Sequence, residues 1–271
     1  ITLVGTGTVN VEGKENFGAL SNAANGEINI NSAAKIIAKG TQSIGYAMLD
    51  GAGTNAGTIE VTGDKNTILN PTNYNGSIGF YGEKGTFTNT GTIKTEGNLA
   101  HSVVLKQTNP RSKDDKDNMI FNHYGEIDVT SPDGSAPNKK TGNIGVFSDG
   151  EALANFYGGS KIYVGDDSIG IHTSKEDAFN ETFKNHGTLG IKIGARSTFA
   201  YLDAEGTPTE TTLKEFFGNG KVVIESDMGE KSSLVYANNQ AEALLDADLT
   251  IDKGNAKAWK TLSLFWLWKT I

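Results

Sequence analysis

Short runs in which apolar and polar residues alternate recur along the chain, each entered through an asparagine and a glycine. Clear copies are Asn55-Ala56-Gly57-Thr58-Ile59-Glu60-Val61, Asn89-Thr90-Gly91-Thr92-Ile93-Lys94-Thr95, and Asn122 followed by Gly125-Glu126-Ile127-Asp128-Val129. The run Asn25-Gly26-Glu27-Ile28-Asn29-Ile30 precedes them. Asn155 with Gly159-Ser160-Lys161-Ile162-Tyr163-Val164, Asn185-His186-Gly187-Thr188-Leu189-Gly190-Ile191 and Asn219-Gly220-Lys221-Val222-Val223-Ile224 follow. Gly7-Thr8-Val9-Asn10-Val11 opens the series and Asp248-Leu249-Thr250-Ile251 closes it in degenerate form. A period of two is that of a strand with one wet and one dry face. The first apolar residues fall at 9, 28, 59, 93, 127, 162, 189, 222 and 249, at intervals of 19 to 35 residues. One supersecondary unit repeated at that spacing is the signature of a solenoid.

A second strand follows at a fixed phase: Ser43-Ile44-Gly45-Tyr46, Ser77-Ile78-Gly79-Phe80, Asn143-Ile144-Gly145-Val146 and Ser168-Ile169-Gly170-Ile171. Ser102-Val103-Val104 and Ser233-Leu234-Val235 are looser copies. A third apolar position precedes each asparagine, at Phe87, Phe121, Leu153, Phe183 and Phe216. The pattern therefore predicts an all-β chain folded as a single right-handed parallel β-helix of about nine rungs, with three short strands per rung. The hand follows from that of parallel crossovers. Ile28, Ile59, Ile93, Ile127, Ile162, Leu189 and Val222 are expected to form one buried column. The asparagines are expected to serve as tight corners with stacked amides, and the glycines to supply positive φ there.

All five prolines, Pro71, Pro110, Pro132, Pro137 and Pro208, fall between strands and mark insertions at the corners. The longest run over 62–76, 106–118, 130–141 and 202–212. Each precedes a strand of the repeat, and 62–76 and 130–141 both precede a Ser/Asn-Ile-Gly strand, which puts them at one corner two turns apart. Tyr74, Lys139 and Lys140 are the binding candidates there, because recognition residues gather on loops held by a rigid scaffold. The mixed-charge run Arg111 to Asp117 reads as solvated surface. All three tryptophans, Trp259, Trp266 and Trp268, crowd the end of the chain. Residues 1–255 thus read as β-helix and 256–271 as a Trp-rich tail: a cap, an apolar patch for a partner, or a scar or truncation end.

Composition narrows the function. The net charge is −8 and only Arg111 and Arg196 are arginines, so nucleic acid and strongly anionic ligands are poor partners. With 34 glycines, 5 prolines and no cysteine, the chain is neither collagenous nor disulfide-stapled, and thiolate chemistry is excluded. No signal peptide opens the chain, so a mature or partial sequence is expected. No apolar stretch is long enough to span a bilayer.

Candidate chemistry is sparse. Glu60 and Asp128 point outward two rungs apart, ~9.6 Å by strand spacing, with Lys94 between them; this reads as charge alternation rather than a hydrolytic pair. Asp166-Asp167 sits in a corner where turn formation is the simpler explanation. His123 and His186 follow Asn122 and Asn185 and lie two rungs apart, too far to share an ion; His101 and His172 complete the histidines. No catalytic residue, metal site or cofactor is expected.

The recurring Asn-x-Gly-Thr-Ile-x-Val strand followed by Ser-Ile-Gly-aromatic, as at Asn55 to Val61 with Ser77 to Phe80, resembles autotransporter (type V secretion) passenger domains, most closely the very large fusobacterial adhesins of the RadD kind. The likeness spans residues 1 to about 255 as a style of repeat. It implies a secreted, non-catalytic β-helical stalk at the bacterial cell surface, anchored at the outer membrane through a translocator outside this chain. Adhesion to host or bacterial cell-surface protein or glycan, a part in virulence, and a monomeric chain are the expectations that go with it. A glycan-active β-helix enzyme, a polysaccharide lyase or hydrolase, is the alternative.

Overall fold

A computed structural model describes residues 1–64, 76–107, 112–114, 117–130, 142–175, 183–204, 212–215, 220–238, 241–244 and 250–252. These residues are all-β, and every strand pairing among them is parallel. The Trp-rich tail lies outside the described residues.

The alternating runs form the first wall, a nine-stranded sheet. Its strands are Thr8–Val11, Lys35–Ala38, Thr58–Val61, Thr92–Thr95, Glu126–Val129, Lys161–Val164, Thr188–Ile193, Lys221–Ile224 and Thr250–Asp252, in that order. The Ser-Ile-Gly segments form a second wall, from Ile44–Asn55 through Ile78–Gly82, His101–Gln107, Ile144–Gly150, Ile169–Lys175 and Thr198–Ala204 to Ser233–Asn238. The segments before the asparagines form a third, with Gly85–Asn89, Met119–His123, Leu153–Phe156 and Phe183–Asn185. The long strands Phe17–Ile30 and Ile44–Asn55 run through both the second and third walls and join them into one curled sheet. Thr212–Glu215 and Ala241–Leu244 pair separately. Each strand is bonded to its counterpart one repeat away, an arrangement consistent with a parallel β-solenoid.

Why this sequence closes in this way is visible in its columns. Ile59, Ile93, Ile127 and Ile162 stand in register as expected, all fully buried. Ile28 does not belong with them. The Asn25-Gly26 run continues a bent strand of the third wall, where Ile28 pairs with Gly53, and Ile36 takes the place beside Ile59. Leu189 and Val222 do face each other, yet Ile191 is the neighbour of Ile162. The six-residue strand Thr188–Ile193 pairs on one side through its last four residues and on the other through its first four. A slip of two keeps the inward side chains inward, whereas a slip of one would turn them all out.

The second wall faces the isoleucine column with glycine. A Cβ on Gly45 would meet Ile59 Cγ2 and the Gly79 carbonyl at 2.8 Å, and one on Gly79 would meet Ile93 Cγ2 at 2.9 Å. Ser102 and Ser233 therefore do not align as serines. Val103 pairs with Phe80, which places Ser102 at the glycine position, bonded to Thr95 Oγ1 at 2.6 Å. Ser233 lies one place on, opposite Thr198. Between the walls lie stacked rings: Phe80 on Phe87 at 3.8 Å and Phe87 on Phe121 at 6.1 Å. Ala154, not Leu153, occupies the next place in that stack, because it is Ala154 that pairs with Phe121 and Phe183.

Candidate binding surface

At the corner between the third and first walls the chain turns through the recurrent Asn and Gly. The inward position of successive turns is held by Asn55, Asn89, His123, Phe156 and Asn185. Asn55 Nδ2 donates to Asn89 Oδ1 at 2.7 Å, and Asn89 Nδ2 lies 3.0 Å from His123 Nδ1. Since that amide donates, Nδ1 accepts, and Nε2–H is left to donate to the Lys161 carbonyl at 3.2 Å. His123 is fully buried, which pushes its pKa down to about 4 and keeps the ring neutral. The amide ladder expected from the asparagines exists here, but Asn122 and Asn155 lie outside it, pointing outward.

The glycine that follows works differently from expectation. Gly57, Gly91 and Gly125 are not among the positive-φ residues; of the recurrent glycines, Gly159 is, at 89°. They are required because turns touch. A Cβ on Gly125 would sit 2.0 Å from the Gly91 carbonyl, and one on Gly91 2.1 Å from that of Gly57. The left-handed residues other than glycine lie elsewhere, just before strands of the second wall, at Glu15, Gln42, Leu99, Asp167, Arg196 and Lys231.

One residue beyond the inward ladder the side chains turn to solvent. This column holds Ala56, Thr90, Tyr124, Tyr157 and His186, whose backbone amides each bond the turn before. The Tyr124 and Tyr157 rings stack at 4.3 Å and 5°, and Tyr157 and His186 at 5.0 Å and 18°. Beside them runs an outward row of Thr54, Thr88, Asn122, Asn155 and Lys184. Asn155 Nδ2 donates to Asn122 Oδ1 at 3.0 Å, and Asn155 Oδ1 meets His186 Nε2 at 3.1 Å. Burial, and then the neighbouring Tyr124 phenol, hold the Tyr157 hydroxyl above its ordinary pKa. His123 and His186 are thus not equivalent, since one closes the inner ladder and the other the outer stack.

The residues singled out from the sequence fall as follows. Tyr74, Lys139 and Lys140 lie outside the described residues. The strands flanking their insertions, Thr58–Val61 with Ile78–Gly82 and Glu126–Val129 with Ile144–Gly150, enter and leave the same corner two turns apart. Glu60, Lys94 and Asp128 stand in direct register, and the Lys94 ammonium is stabilised first by its bond to Glu96. Asp166 Oδ1 accepts the Ala195 amide at 2.7 Å, and Asp167 clasps Arg196 through two oxygens. His172 packs edge-on against Phe147 and Tyr201, each at 4.9 Å; His101 lies edge-on to Phe147 at 6.1 Å. Among the described residues no group of three or more His, Asp or Glu could hold a metal ion, and no helix is long and apolar enough to cross a membrane.

The outer stack has a sequence signal. Counting back from the strand rather than forward from the asparagine puts Thr90, Tyr124 and His186 each three places before Ile93, Ile127 and Leu189. No family model matches the chain, and neither a curated protein nor a solved structure does.

Proposed function

We propose that this chain is a section of the β-helical stalk of a bacterial surface adhesin, non-catalytic and carried to the outer membrane by the autotransporter route. In the finer geometry of that reading the sheets wind right-handedly, in about nine turns of three strands, as a repeat of this period does. The observation that carries it is the use made of the residues. Most inward positions stack as one continuous core from Val11 to Val235, with Ala38, Val61 and Ala100 as a smaller cluster beside it, and outward positions line up as ladders along the same direction. Such a body is a stiff spacer with a repetitive surface, and the sequence insertions that carry Tyr74, Lys139 and Lys140 are its candidates for recognition. The partner in this reading is a protein or glycan on a host or bacterial cell. A chain of net charge −8 is a poor match for nucleic acid, and outer-membrane display is what the resemblance to autotransporter passengers implies.

Beads coated with the purified chain, presented to epithelial cells and to a panel of bacteria, test this. Saturable binding, competed by the soluble chain, is the expected result. Binding no greater than that of an albumin-coated bead to every cell type would overturn it.

A further inference from the structure

The outer corner column ends in a step. Below Tyr124 the rings of Tyr157 and His186 continue the stack, while above it the same position is held by Thr90 and Ala56, both exposed. One face of Tyr124 therefore covers Tyr157 and the other looks out over two small side chains. Tyr124 is 43% exposed, more than any other tyrosine among the described residues. The side chains nearest that open face in the register are Thr88, Thr90, Thr92 and Asn122, with the Glu126 carboxylate opposite Thr92. Asn122 has its oxygen engaged by Asn155 and Tyr157, which turns its Nδ2 donor away from them.

From this step we infer a subsite for one neutral pyranose unit: the apolar C–H face of the sugar lies on the open face of Tyr124, and its hydroxyls meet the Asn122 amide and the threonine hydroxyls. An aromatic face is electron-rich and attracts the weakly positive C–H bonds of a sugar ring. The Tyr124 ring is already fixed by the stack beneath it, so little rotamer freedom is lost on binding. A carboxylated sugar meets no cation among these residues, and the Glu126 carboxylate repels it. The inference rests on the adhesin reading for its meaning but not for its test.

Saturation-transfer NMR on the intact chain, with methyl β-galactopyranoside and methyl β-glucopyranoside as probes and N-acetylneuraminic acid as the charged contrast, reads the subsite directly. The expected result is transfer to the ring protons of a neutral glycoside, with millimolar affinity. Tyr124→Ala weakens it at least tenfold, and Tyr124→Phe by less than threefold. Thr90→Lys, at an exposed position where the one side-chain bond lost is the hydroxyl's 3.3 Å bond to the Asn55 carbonyl, lays a long side chain over the open face and also weakens it at least tenfold. Absence of transfer from either neutral glycoside, preference for the charged one, or unchanged binding in Thr90→Lys overturns the subsite. If sugars fail and beads still bind cells, the subsite falls and the adhesin stands; if sugars bind and beads do not, the reverse holds.

Discussion

Two columns climb the same corner one residue apart, and they are built under different constraints. The inner one, Asn55–Asn89–His123–Phe156–Asn185, must satisfy every polar atom within the protein. Its amides and imidazole form an unbroken relay down to the Lys161 carbonyl, and where the column changes to Phe156 the relay stops. Asn185, past that break, bonds the Lys221 carbonyl and the Gly187 amide instead. The outer column, Ala56–Thr90–Tyr124–Tyr157–His186, has water for a partner and so accepts a methyl, a hydroxyl, a phenol or an imidazole in turn. A buried unsatisfied group costs about 1–3 kcal/mol, whereas an exposed side chain can change with little cost. Freedom to acquire a binding role therefore lies on the outer column, and the rigidity that would make such a role specific comes from the inner one.

The sharpest way to break the inner side is to charge its neighbouring core. Ile127→Asp buries an unpaired carboxylate in a fully buried column and is expected to cost more than about 4 kcal/mol. Circular dichroism melts would show loss of the cooperative transition or a shift of many degrees; a near-wild-type melting temperature would refute the column.

A smaller effect belongs to the histidine of the inner column. His123 titrates at about 4 in the folded chain and near the ordinary 6.5 when unfolded. Between those values the unfolded chain holds the extra proton, so stability is full above pH 6.5 and falls as pH drops towards 4, by roughly 3 kcal/mol in all. Protonation would also set an Nδ1–H against the donating Asn89 amide. His123→Asn, which continues the amide ladder, is expected to flatten urea-unfolding stability across that window.

The mildest change belongs to the outer column. Tyr157→Ala removes one ring from an exposed stack, at a cost of about 1 kcal/mol or less, seen as a small shift in urea midpoint with an unchanged slope. A loss comparable to that of Ile127→Asp would mean that the outer stack is structural after all.

Much of this was legible in the residues themselves. Alternation through Ile59-Glu60-Val61 and Ile127-Asp128-Val129 specifies strands with one dry face, and a repeat of 34 residues between Ile59, Ile93 and Ile127 specifies stacking. Chain counting could not find that Ile36 replaces Ile28, or that Ile191 precedes Ile224 in the column, because corner lengths vary while the hydrogen-bonded register does not. The recurrent glycine was visible as a requirement, but its cause was not. A positive φ is a local property that a sequence can suggest, whereas the Gly91 carbonyl, 2.0 Å from where a Cβ on Gly125 would stand, is met only once two turns have stacked. The same holds for the corner. Composition and period determined that polar residues would recur at it. Which of them point in and bond, and which point out and stack, was decided by parity along the strand and contact between turns about 4.8 Å apart.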